Sequence, residues 1–181
     1  MATYAEFSAD FPSPAVPTLL QTLLPKPVDA LPDDDVVGAL RSVVSVWVDQ
    51  SSGRAETTAV EGTAEQAIAT LGAPSALTTD VDVTDALAHL AWAAASGGAQ
   101  GRRRGMAAGR FEAWWTIAAA TNMLDDWPVE PAELIVAANG LRWVLWSPGL
   151  HGGGWELHLA IEDPLDGLAW ALSATDLQVT G

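Results

Sequence analysis

The sequence predicts an α+β fold, a mainly helical single domain with a small antiparallel β hairpin near the C-terminus. Apolar residues recur at spacings of three and four over residues 36–47, 83–94 and 107–118, the period of a helix with one buried face. Trp155, Leu157, Leu159 and Ile161 instead alternate with Glu156, His158, Ala160 and Glu162, the period of a half-buried strand. Arg142–Ser147 upstream carries Trp143, Val144, Leu145 and Trp146 and supplies a partner for that strand.

The elements follow in order. Residues 11–32 hold six prolines, too many for a long helix, so residues 1–32 are read as a Pro-rich arm packed on a domain of residues 33–181. Residues 18–24 could make one or two helical turns that bury Leu19, Leu20, Leu23 and Leu24. Asp33, Asp34 and Asp35 after Pro32 suit a helix start, where carboxylates cap free amides and complement the positive end of the dipole. That helix runs to about residue 49, with a strand as the alternative over 42–48. A helix over 64–71 stops at Gly72 and Pro74, and one over 83–96 stops at Gly97-Gly98.

A central helix is expected over 103–123, packed on two sides. Phe111, Trp114 and Trp115 form a broad face. Gly105, Gly109, Ala113 and Ala120 form a small-residue face that lets a neighbouring backbone come close. Pro131 starts a helix that ends at Asn139-Gly140. The hairpin follows, its turn in the glycine-rich residues 148–154. Asp163-Pro164-Leu165-Asp166 then reads as a helix start, with Leu165, Leu168, Ala169 and Leu172 as the buried stripe. Residues 177–179 add a short final strand.

Composition excludes several function classes. A formal net charge of −15 repels phosphate backbones and anionic bilayers, which argues against nucleic acid and membrane partners. No apolar run reaches the ~20 residues that span a bilayer, and the first residues lack the pattern of a secretory signal. No cysteine is present, so thiolate and disulfide chemistry is out and a cytoplasmic location is expected. Nine tryptophans supply a core, with Trp47, Trp115, Trp155 and Trp143 or Trp146 placed in it.

Against that acidity, four of the eight cationic residues, Arg102, Arg103, Arg104 and Arg110, fall in one nine-residue window. Guanidinium groups present fixed forks of donors that match carboxylate or phosphate oxygens. The cluster is therefore a candidate anion-binding or carboxylate-binding site at the start of the central helix. The alternative is internal pairing, with Asp85, Glu112 or Asp163 as partners. The blocks Gly-Arg-Arg-Arg-Gly at 101–105, Gly-Arg-Phe-Glu-Ala-Trp-Trp at 109–115, Leu-Arg-Trp at 141–143 and Glu-Asp-Pro-Leu-Asp-Gly-Leu-Ala-Trp-Ala at 162–171 resemble an uncharacterised actinobacterial family. The resemblance covers residues 101–176 and implies no substrate, cofactor or catalytic residue.

Other chemistry is sparser. Asp85 and His89 stand one helical turn apart, a spacing that lets a carboxylate orient an imidazole as a general base, but no nucleophile is marked beside them. Three separated histidines, His89, His151 and His158, make no zinc pattern, and the aspartate groups lack calcium-loop spacing. No metal and no cofactor is expected. Trp92 and Trp170 fall off the apolar stripes of their expected helices, which makes them a candidate partner surface unless another layer covers them. The expectation is a non-catalytic interaction module, adaptor-like or immunity-like, whose acidic surface takes a basic protein or a second copy of itself. The alternative is an anion-binding or enzymatic domain that uses the arginines on a phosphate or carboxylate.

Overall fold

A computed structural model describes residues 14–149 and 154–177. Six strands, β1 (Leu20–Leu23), β2 (Arg54–Glu61), β3 (Ser75–Val81), β4 (Arg142–Ser147), β5 (Gly154–Asp163) and β6 (Leu168–Leu177), form one antiparallel sheet in the order β1-β3-β4-β5-β6-β2. The helices are α1 (Asp35–Val43), α2 (Ser45–Asp49), α3 (Ala64–Thr70), α4 (Val83–Ala95), α5 (Met106–Ala120) and α6 (Pro131–Ala138). None of them is long and apolar enough to cross a membrane.

The sheet overturns the expectation of a mainly helical domain with one small hairpin. It is covered on both faces, which is why β6 escaped detection as a strand. Trp143, Leu145, Leu159, Trp170 and Leu172 look toward α1, α4, α5 and α6. Val144, Trp146, Ala160, Ala169 and Ala171 look toward α3 and Leu24 of the arm. A strand buried on both sides loses its in–out alternation and reads as a continuous apolar run. In β6 that run, Leu168 to Leu172, also matches helical spacing.

The expected helix at Asp163 is therefore a hairpin turn. Asp163 Oδ1 accepts the amides of Leu165 at 2.9 Å and Asp166 at 3.2 Å, and Gly167 closes the turn at φ 67°, a conformation that other residues adopt at a cost. The same aspartate–proline start that caps a helix makes an Asx-turn when a strand follows. Strands β2 and β3 were missed for a different reason. Their sequences, RAETTAVE and SALTTDV, are half polar and carry few large apolar residues.

The arm belongs to the sheet as well as lying on it. Its β1 pairs with β3, so residues 20–23 are extended, and Leu20 and Leu23 are 68% and 87% exposed rather than buried. The chain then crosses the α3 face, where Val28 exchanges hydrogen bonds with the Thr70 hydroxyl and Leu24 is buried. It reaches the opposite edge at an Ala30–Val60 bridge. The first helix breaks at Val44, separating α1 from α2. The expected final strand at 177–179 lies largely outside the described residues, as do residues 1–13 of the arm and the tip of the glycine-rich turn with His151.

Helix α5 is central, packed against α1, α4 and α6. Its small-residue face does let a backbone come close, since a Cβ on Gly109 would stand 2.3 Å from the Ala91 carbonyl oxygen and 2.7 Å from the Ala95 Cβ.

Candidate functional site

The helix that was to carry the arginines begins only at Met106. Arg102, Arg103 and Arg104 sit in the segment between α4 and α5, so Arg103 and Arg110 do not share a helical face. The segment is nonetheless held firmly. The amides of Arg104 and Gly105 both bond to the Ala95 carbonyl at 3.1 and 3.2 Å. The Arg102 amide donates to Gln50 Oε1, and the Ala99 amide donates to the buried Asp176 carboxylate at 2.6 Å.

The arginines then divide. Arg104 turns inward to Glu112 at 2.7 Å. That carboxylate is buried and also accepts from the Ser42 hydroxyl at 2.7 Å, tying the segment to α5 and α1. Arg110 is exposed on α5. Arg102 and Arg103 line a concavity of about 420 Å³ with Ser96, Gln100 and Trp155.

Asp85 and His89 lie on α4 but form no hydrogen-bonded dyad. Asp85 is exposed at the helix start, while His89 is buried beneath the arm. Burial pushes the His89 imidazole below its ordinary value, opposed by a hydrogen bond to the Ala15 backbone and by the charge of Asp85. His158 lies across the sheet with Nδ1 3.2 Å from the Ser173 hydroxyl. Among the described residues no three His, Asp or Glu side chains converge to hold a metal ion.

Trp92 and Trp170 are interior residues, 9% and 5% exposed, so they form no open partner surface. Trp92 stacks on Trp155 with ring centroids 4.9 Å apart and meets Trp47 edge-on at 6.1 Å. It fell off the apolar stripe because α4 is enclosed on nearly every side, leaving no polar face to define one. Trp170 is on a strand, and its indole N–H donates to Asp34 Oδ2 at 2.7 Å.

That bond marks the floor of the larger concavity, a groove of about 470 Å³. Five aspartates line it: Asp34 and Asp35 at the start of α1, Asp125 after α5, and Asp163 and Asp166 in the β5–β6 turn. Asp34 is anchored, since its Oδ1 also accepts the Val37 amide at 2.9 Å. Asp35, Asp125 and Asp166 form no ion pair with any described residue. Between them the lining is mixed, with Val36, Leu124, Leu165 and Trp170 as its apolar part and Thr121 and Asn122 beside them. Residues at the C-terminal ends of α5 and α6, Ala120 and Ala137 among them, complete the wall and bring the electronegative ends of two helix dipoles to it.

Sequence reasoning assigned these aspartates singly to caps and turns and missed the groove. The positions 34, 125 and 166 meet only because β6 follows β5 into the sheet and places their turn beside the start of α1. No local signal in the sequence carries that adjacency.

The model of a family of unknown function, DUF6183, matches residues 6–178, well beyond the residues that carried the resemblance. No curated protein matches the chain, and no solved structure does.

Proposed function

The chain belongs to this family of unknown function, and from that premise we propose that it is a non-catalytic interaction module whose acidic groove receives the basic side chains of a partner protein. The observation that carries the reading is the convergence of Asp35, Asp125 and Asp166, without internal cations, on a floor that is partly apolar. A lysine or arginine fits such a place because its charged head meets carboxylates while its aliphatic stem covers apolar surface. The net charge of −15 adds a long-range field that speeds encounter with a basic partner and disfavours an acidic one.

The test is calorimetric titration with a short arginine-rich peptide at low and high salt. The wild-type protein is expected to bind, more weakly as salt rises. Asp125→Asn together with Asp166→Asn is expected to weaken binding about tenfold, two exposed charge contacts of under about 1 kcal/mol each, with an unchanged melting temperature. Equal affinity in wild type and variant would remove the groove from the function.

A second reading is favoured by Arg102, Arg103 and Trp155 lining one concavity, which suits a phosphate- or carboxylate-bearing small molecule. It predicts that a nucleotide or a dicarboxylate raises the melting temperature of the wild type and not of Arg102→Ala/Arg103→Ala. A ligand shift of equal size in both proteins would rule it out.

A further inference from the structure

The broad aromatic face of α5 is open to solvent. Phe111 is 50% exposed and Met106 40%, and Ala107 is exposed between them. Trp114 and Trp115 are only partly buried, although the sequence places Trp115 in the core. The connector after α5 lays Trp127 on this face, edge-on to Phe111 at 5.9 Å and to Trp115 at 5.5 Å. Phe111 and Trp115 stack at 6.0 Å, so the three rings hold one another in place. Soluble monomers rarely leave such a surface in water, and interfaces are enriched in it. Rings fixed beforehand also lose little freedom when a partner covers them.

The charges around the face define that partner. Between Arg104 and Asp125 the sole acid is Glu112, and it is buried against Arg104. On a chain of net charge −15, another acidic surface can approach here without meeting free carboxylates. Arg110 is exposed near the start of α5, next to Phe111. Asp126 is exposed next to Trp127, in the connector whose Asp125 lines the groove with Thr121 and Asn122 at the end of α5. Neither Arg110 nor Asp126 forms an ion pair with any described residue. The face is thus positive at one end and negative at the other. A uniformly basic partner would meet Arg110 with like charge, and a uniformly acidic one would meet Asp126. A surface with the same two charges in reverse order satisfies both, and a second copy turned about a two-fold axis presents that surface.

We propose that the aromatic face of α5 is a self-association surface, on which a second copy of this chain docks with its α5 antiparallel. Arg110 of each copy meets Asp126 of the other, and Phe111 and Trp115 of both copies form the apolar centre. Each charge then falls at the end of the facing helix dipole that favours it, arginine at the C-terminus and aspartate at the N-terminus. The Debye length is about 8 Å at physiological ionic strength, so the net repulsion of two acidic chains is largely screened while these contacts are less so. Side chains that are already part-buried supply less than the roughly 800 Å² per partner of a standard interface. The dimer is therefore weak, with a dissociation constant on the order of 10 μM.

Sedimentation equilibrium of the full chain, at physiological ionic strength and at concentrations from well below to well above that constant, tests the proposal. The wild type is expected to pass from monomer to dimer. Phe111→Glu should weaken association at least about thirtyfold, as loss of a central aromatic anchor does. Arg110→Asp alone and Asp126→Arg alone each set like charges together twice per dimer, and each should weaken it about tenfold. Arg110→Asp/Asp126→Arg in one chain restores opposite charges across the two-fold axis and should return the constant to within about threefold of the wild type. A merely structural role for either residue gives no such rescue. If Phe111→Glu does not fold, the charge reversals, all on exposed side chains, supply the readout. A chain that stays monomeric at the highest concentration overturns the proposal. So does a dimer indifferent to these substitutions, or one that the double reversal fails to restore. Arg110, Phe111 and Asp126 do not line the acidic groove, so peptide binding there stands or falls separately.

Discussion

Gly109→Ala is expected to destabilise the domain by about 2 kcal/mol, although alanine is the better helix former. The methyl would meet the Ala91 carbonyl oxygen at 2.3 Å, the Ala95 Cβ at 2.7 Å and the Ala95 amide nitrogen at 3.1 Å. Two of those atoms are backbone of α4, so no rotamer change relieves them and the two helices must separate. Overpacking of a core costs roughly 1–3 kcal/mol and sometimes more. Here it falls at the upper end, because separating α4 from α5 also loosens Leu90, Trp92 and Ile117. Against this stands a helix-propensity gain of about 1 kcal/mol. Urea unfolding should show a lower midpoint with an unchanged slope, and Gly109→Val should fall further. A Gly109→Ala protein as stable as the wild type would mean that α4 and α5 do not approach closely at this point.

The small-residue face that makes this prediction was readable in the sequence, since Gly109 and Ala113 stand four apart on a helix with large aromatics elsewhere. So were α3, α4, α6, β4 and β5, each with a strong period or a clear cap. What could not be read was pairing. The turn at Asp163 and the strand at Leu168 obey local rules that serve a helix equally well, and only the neighbouring strands β5 and β2 decide between them. Strands of mixed polarity, the edge strand β2 and the paired strand β3, carry too little apolar signal to be seen without their partners.

The sites followed the same division. The arginine window was visible as composition, but its geometry depended on where α5 starts, and Gly105 at φ 83° places that start after Arg104 and before Arg110. Arg104 pairs with Glu112, while Arg102 and Arg103 reach a concavity shared with Trp155. The acidic groove joins residues more than a hundred positions apart, such as Asp34 and Asp166. Helix caps and turn aspartates are unremarkable one at a time. Their meaning changes when the fold gathers them without cations between them.

Arg142 gave no such signal at all, standing alone in the sequence, yet Arg142→Met is expected to cost about 2 kcal/mol. Its guanidinium lies 2.7 Å from Glu65 on α3, 2.9 Å from Asp80 on β3 and 3.0 Å from Glu162 on β5, and it holds these three elements together at one corner. The bonds to Glu65 keep the guanidinium more firmly protonated than usual. Burial raises the Glu65 carboxyl, but the Arg142 hydrogen bonds and charge outweigh it, and the group lies below its ordinary value of 4.5. Removing one partner from a buried pair costs about 3–5 kcal/mol. The lower figure expected here allows for solvent screening, because the Arg142 side chain is 35% exposed and Asp80 more so. Arg142→Lys should lose an intermediate amount, since it keeps the charge and not the fork. A carboxylate with a lowered value contributes stability that is complete above its unfolded value and disappears as pH falls through the folded one. The gap in melting temperature between wild type and Arg142→Met should therefore be full at neutral pH and narrow once pH falls below about 4.5. A gap that stays constant down to pH 3 would show that the arginine acts through its aliphatic packing alone.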